Sequence, residues 1–219
     1  MTILDSTANP LYPSDAEAGA ALAGALNDGV LALVGAGCTW IQVDEPVFAR
    51  YPGEAIDHGF ADLERCFQGV PESVSKVLHM CCGYPMYLDQ HDPTKADPAA
   101  YFRLAPAVEE SSIDVVSLED AHRRNDLGLF ERFSSTRYWS GSIKIAESEV
   151  ESVDEISARI SALLDHIDRD RLIVGPDCGL GLLPGDVARS KLEAVSYTHL
   201  TLPTMIIRCR GRGWAGGGV

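Results

Sequence analysis

The chain has 219 residues, 46% of them hydrophobic and 23% charged, the balance of a globular protein with one sizeable core or part of a larger domain. A formal net charge of −14 removes the electrostatic basis for binding nucleic acid or an anionic membrane. No uninterrupted apolar run reaches the ~20 residues of a membrane span, no basic segment precedes an apolar one at the N-terminus, and the six cysteines are too sparse for a disulfide scaffold, which together point to a reducing cytoplasm.

Taken in order, helical and extended patterns alternate. Residues 14–36 read as a helix with Ser14 or Asp15 as cap and Gly37 as stop. The run T-W-I-Q-V-D-E-P (39–46) is a short strand closed by proline. Residues 54–69 read as helix, S-K-V-L-H-M-C (75–81) as strand, 98–110 as helix and I-D-V-V-S-L-E (113–119) as strand. A short helix over 125–133 precedes the strand G-S-I-K-I-A (141–146). Helix 152–168 carries apolar residues at three- and four-residue steps, with Ser152 as its cap. The strand R-L-I-V-G-P-D-C-G-L (171–180) and a helix over 186–194 complete the series. Five strands separated by helices are the signature of parallel α/β architecture.

From Val195 the character changes. All 32 acidic residues precede that point, and the chain ends in a Gly-rich, Arg-containing tract with no helical or strand period. The string V-S-Y-T-H-L-T-L-P-T also resembles the translation of a transposon-type sequencing adaptor. Residues 1–194 are therefore expected to carry the fold, and 195–219 to be a non-native or disordered tail.

Alternation alone does not separate a doubly wound sheet from a closed barrel; the placement of reactive residues does. Asp44 and Glu45 end the first strand, His79 and Cys81 the second, Glu119 the third and Cys178 the fifth. In a (β/α)8 barrel all C-terminal strand ends meet on one rim, where such barrels carry their chemistry. Five strands are too few to close a barrel, and the chain begins almost directly with a helix. The expectation is a TIM barrel fragment holding roughly the last five β/α units, with the first three strands absent.

His79-x-Cys81 puts two ligands on one side of an extended segment, and Cys82 on the other, into packing. That pair alone is a weak signal. Glu119 and Cys178, each at a strand end before a loop, strengthen it, because zinc takes Cys sulfur, His nitrogen and carboxylate oxygen in tetrahedral sites.

The fragments I-Q-V-D-E-P, H-M-C-C-G, S-L-E-D-A and P-D-C-G-L, in this order, resemble the catalytic barrel of the cobalamin-independent methionine synthase superfamily, which includes the epoxyalkane:coenzyme M transferase (2-hydroxypropyl-coenzyme M lyase) branch. The resemblance runs over about 15–194. It implies zinc held by His79, Cys81, Glu119 and Cys178, with Asp44 contacting the amino group of an amino-acid thiol such as homocysteine. It further implies that a substrate thiol, homocysteine or coenzyme M, is deprotonated at the metal and attacks an alkyl donor, a methyl-folate or an epoxide. Glu119 is the ligand expected to loosen when the thiol binds.

Two positions depart from the folate-dependent pattern. Arg50 stands where that motif ends in a folate-contacting Glu, and Ala146 stands at the position of the proton-donating His. A tertiary amine must be protonated to leave, whereas ring strain drives much of epoxide opening, so these departures favour the coenzyme M branch. H-M-C-C-G-Y-P, E-D-A-H-R-R-N-D and a longer insert between Cys81 and Glu119 point the same way. The alternatives are a uroporphyrinogen decarboxylase-like zinc methyltransferase, or a truncated zinc-binding fragment without activity.

Other reactive residues have plainer readings. Asp120 and Asp177 either orient the adjacent ligands or cap turns; His122 is a supporting residue, an acid or neither. Arg123 and Arg124 form a solvated pair or a site for an anionic group such as a sulfonate. Cys38 and Cys66 read as core packing, His58, His91 and His166 as solvated surface, and the acidic run 146–155 as helix-start charge.

Overall fold

A computed structural model describes residues 1–90 and 95–201, with side chains followed to Thr198. Its elements are α1 (Thr2–Asp5), α2 (Asp15–Gly35), β1 (Trp40–Asp44), α3 (Pro52–Glu54), α4 (Phe60–Cys66), β2 (Ser75–Met80), α5 (Ala100–Glu110), β3 (Val115–Leu118), β4 (Arg137–Ile143), α6 (Val153–Leu164), β5 (Leu172–Pro176) and α7 (Gly185–Thr201). A π-helical turn, Ala55–Gly59, joins α3 to α4, and 3-10 turns occupy Leu127–Arg132 and Arg169–Arg171.

All five strands are parallel and hydrogen-bonded in the order β1-β2-β3-β4-β5. A doubly wound sheet reverses its strand order at a switch point. Here every strand lies beside its predecessor, the order of a barrel. The fold is thus five consecutive β/α units of a (β/α)8 barrel. Parallel strands covered on both faces need apolar or satisfied residues throughout. The four residues of β3 are all buried, as are the last four of β2.

Local chemistry sets the element ends. The Ser14 hydroxyl accepts the Glu17 N–H (3.2 Å) at the start of α2, and Gly37 takes a φ of 94° after its end, a conformation that side chains disfavour. Ser152 and Glu155 close a reciprocal capping box on α6, which buries Ile156, Ile160 and Leu163 against the sheet. Burying each of these side chains contributes about 2 kcal/mol. The acidic run before α6 is used residue by residue: Glu147 pairs with Lys144, and Glu151 accepts from the Lys144 N–H and the buried Lys191 ammonium.

Several expectations shift. The stretch over 125–133 is a 3-10 turn, because Asp126 caps Gly128 and the segment is too short for a stable α-helix. β4 begins at Arg137, four residues before the expected start, and stops at Ile143. α6 ends at Leu164, four residues early. α7 runs through the expected boundary at 194 to Thr201, with Val195 in the core cluster. α2 has 21 residues and a mean hydropathy of 1.4, so by length and composition it is apolar enough to cross a membrane. It nevertheless packs on α4, and Asn27 donates to the Cys66 and Gln68 carbonyls (2.9 and 2.8 Å).

Candidate metal centre

β2 and β5 are three strand spacings apart, roughly 14 Å in a flat sheet at about 4.8 Å per strand. Yet the ligand atoms of His79 and Cys81, at the end of β2, and of Cys178, just past β5, all lie within 4.8 Å of one another. Curvature of the sheet is what brings them together. The two residues of H-x-C share a face, and the fifth strand end swings round to meet them.

His79 is buried at the end of β2. It is 4% exposed, and its Nδ1 lies 2.9 Å from the Ser117 hydroxyl, across the β2–β3 register in which the two residues are paired. Its Nε2 is buried without a hydrogen-bond partner. A buried ring nitrogen in that condition is costly unless something takes its lone pair or proton. With Nδ1–H donating to Ser117, the Nε2 lone pair faces the two sulfurs, the arrangement by which a hydrogen bond on one ring nitrogen prepares the other for a metal.

The sulfurs are coupled. The Cys81 thiol, together with His79 and in spite of burial, holds the Cys178 thiol well below its ordinary value, favouring its thiolate. Cys81 is pushed up, first by its bond to Cys178 and then by burial. The pair is thus one in which a thiol at Cys81 supports negative charge on Cys178. Burial disfavours a charged His79, but the Cys178 sulfur more than offsets this and raises its pKa. The trio fits a soft or borderline divalent cation, for which both sulfurs, once deprotonated, and the imidazole would serve as ligands.

Asp177 fixes Cys178 in place. Its Oδ1 accepts the Asp120 and Ala121 N–H groups (2.8 and 2.9 Å), and its Oδ2 the His122 N–H (2.7 Å). Three successive backbone donors from the loop after β3 hold the residue beside Cys178. Burial raises the Asp177 carboxyl to about 7, with the three N–H bonds pulling the other way. Gly141 leaves it room, since a Cβ there would stand 1.8 Å from Asp177 Oδ1.

Glu119 is next to this cluster and outside it. The residue is 2% exposed; Oε1 accepts the Cys82 N–H (3.0 Å), and Oε2 accepts the Lys95 ammonium (2.6 Å). Lys95 also donates to the Gly83 carbonyl (2.7 Å). Nothing in the local pattern around Lys95 marked it, and its position in the insert between Cys81 and Glu119 was the only available signal.

The remaining candidates separate by geometry. Asp44 is exposed at the end of β1, in register with His79, and accepts from the Gln42 amide (2.8 Å). The Asp120 carboxylate is committed to Arg159 of α6, from which it takes two bonds (2.6 and 2.7 Å), and caps the Asn125 N–H (2.8 Å), which is an anchoring role. His122 Nε2 accepts the Ile145 and Ala146 N–H groups (3.0 and 3.3 Å), so its ring stands at the Ala146 backbone and ties two rim loops together. Burial, then Lys95, pushes its pKa down to about 4. Arg123 is committed to the Ala96 carbonyl, the Cys82 sulfur and the Tyr101 ring, and Arg124, whose side chain is 49% exposed, lies 3.8 Å from the Asp120 carboxylate. Cys82 and Cys66 are buried as expected, whereas Cys38 is exposed in the turn after α2. His58 and His166 are half-buried, and His91 lies outside the described residues.

The family model described as the catalytic domain of cobalamin-independent synthase matches residues 1–198. The chain belongs to this family. The methionine synthase of Thermococcus kodakarensis is 29% identical over 192 residues, 87% of this chain and 52% of that protein. The 2-hydroxypropyl-CoM lyase of Xanthobacter autotrophicus is 28% identical over 210 residues, 84% of this chain and 54% of that protein. A solved B12-independent methionine synthase from a Shewanella species, in complex with selenomethionine, matches with a TM-score of 0.82 and 28% identity, over 92% of this chain and 59% of that one. The chain spans about half the length of the curated relatives it matches.

Proposed function

We propose that this family member is the zinc-holding part of a thiol alkyltransferase, with His79, Cys81 and Cys178 as the protein ligands and Glu119 as an exchangeable fourth. The observation that carries the reading is the buried His79, its Nε2 without a hydrogen-bond partner, gathered with two cysteines from strands three spacings apart, β2 and β5. Zinc bound there supplies charge that favours an incoming thiol as its thiolate at neutral pH. The chain's own residues do the rest: Ser117 sets the His79 tautomer, and Asp177 pins Cys178. Asp44, exposed beside His79, is placed to meet a substrate ammonium. The segment 195–219, apart from the helical turns that continue α7, is proposed to be foreign to the fold.

The choice of alkyl donor rests on the acid. Ala146 offers no proton, and among the described residues His122, the imidazole at that position, is neutral and committed as an acceptor. That favours an electrophile that opens without a strong acid, such as an epoxide, over a tertiary-amine methyl donor. With Arg123 committed, a sulfonate would have to draw on Arg124, which is half-exposed and lies 3.8 Å from Asp120. The test incubates the longest polypeptide containing this chain with coenzyme M plus epoxypropane, and with homocysteine plus methyltetrahydrofolate. Thioether formation in the first mixture is expected; methionine formed only in the second overturns the preference.

A further inference from the structure

We propose that Lys95, together with the Cys82 N–H, forms a second berth for the Glu119 carboxylate, so that Glu119 is traded between the metal and Lys95 as a substrate thiol enters and leaves. The inference rests on the zinc reading above and adds a positioning residue to it.

A carboxylate that is 2% exposed cannot stand alone, because desolvation without a partner costs several kcal/mol. Both of its oxygens are satisfied away from the His79, Cys81 and Cys178 atoms, by Lys95 at 2.6 Å and the Cys82 N–H at 3.0 Å. This pair differs from an ordinary surface ion pair. The Lys95 side chain is 15% exposed, and a second bond to the Gly83 carbonyl, 2.7 Å, fixes its ammonium. Cys82 and Gly83 directly follow the ligand Cys81, so the berth is built on the backbone that carries the metal site. The proposed exchange is a swing of the Glu119 carboxylate about its own side-chain bonds.

Charge explains why such a berth is useful. Two thiolates neutralise a divalent zinc, and one further anion brings the centre to −1. If Glu119 stays while a substrate thiolate enters, the buried centre reaches −2. If Glu119 moves to Lys95, the centre stays at −1, and the displaced carboxylate is neutralised by the ammonium. Carboxylate and thiolate then compete for one coordination position, and their coupling is reciprocal.

The test compares the 219-residue chain with Lys95→Met and Lys95→Arg. Zinc affinity is measured by chelator competition, thiol affinity of the loaded protein by calorimetry with coenzyme M and with homocysteine, and the ligand set by X-ray absorption at the zinc edge. Lys95→Met removes the berth and keeps Glu119 on the metal. Zinc should bind about tenfold tighter without thiol, and thiol about tenfold weaker, while Lys95→Arg should stay near wild type. In the wild type, added thiol should exchange one oxygen ligand for a third sulfur; in Lys95→Met the oxygen should persist. Unchanged affinities, or looser zinc, in Lys95→Met would overturn the berth while leaving the zinc reading intact. A wild-type protein that takes up no zinc would overturn both. Should Lys95→Met fail to fold, a wild-type centre that gains a third sulfur while keeping its oxygen would overturn the berth by itself.

Discussion

Replacing Arg159 with leucine is expected to destabilise the protein by about 3 kcal/mol, the cost of taking the two-pronged cation from a buried carboxylate and leaving it only the half-exposed Arg124 at 3.8 Å. The Asp120 side chain is fully buried, and Arg159 grips it with two bonds, 2.6 and 2.7 Å, while donating a third to the Asn125 carbonyl, 2.8 Å. The consequence reaches the candidate centre. The Asp120 backbone N–H is one of three donors that hold Asp177, and Asp177 precedes Cys178. Arg159→Leu should therefore lower the urea midpoint and weaken metal binding together. Arg159→Lys keeps the charge but loses the two-pronged grip, so its loss should be smaller. A change in unfolding free energy below about 1 kcal/mol for Arg159→Leu would show that the pair is no anchor.

Gly141→Ala should cost about 3 kcal/mol through overpacking, from a single added methyl. The new Cβ would lie 1.8 Å from Asp177 Oδ1 and 2.7 Å from Asp177 Cα. The side-chain oxygen could rotate away, but the Cα belongs to the backbone, so β4 and the end of β5 must separate. Pairing of Gly141 with Gly175 in the β4–β5 register shows how close the two backbones already run. The variant should lose stability in a denaturant titration and lose zinc affinity through displacement of Cys178. An unaltered midpoint would mean that the Asp177 loop moves freely, and that it does not fix the ligand.

The parts of this fold legible in the sequence were those written in local chemistry. The α6 cap was legible because a capping box needs only Ser152 and Glu155, three residues apart. The paired placement of His79 and Cys81 follows from strand alternation, and the barrel from reactive residues at the ends of four of the five strands. The missed features depend on partners distant in sequence. β4 starts at Arg137 because Tyr138 packs edge-on against Phe130, while the polar, glycine-containing string around it carries no strand pattern. Cys38 was read as core because cysteine usually is, yet the turn after Gly37 leaves it in solvent. Lys95, Ser117 and Arg159 act across 24, 38 and 39 residues of chain respectively, and no local period records such pairings. Glu119 is the instructive case: its type and position matched a ligand, but only the fold shows that a lysine already holds it.

The account stands most directly on zinc analysis of the purified chain and of Cys178→Ser after loading and desalting. It predicts about one zinc per wild-type chain and a severe loss in the variant, since Cys178 is one of the three gathered donors. Wild-type zinc below about 0.2 per chain, or a content that Cys178→Ser leaves unchanged, would contradict it.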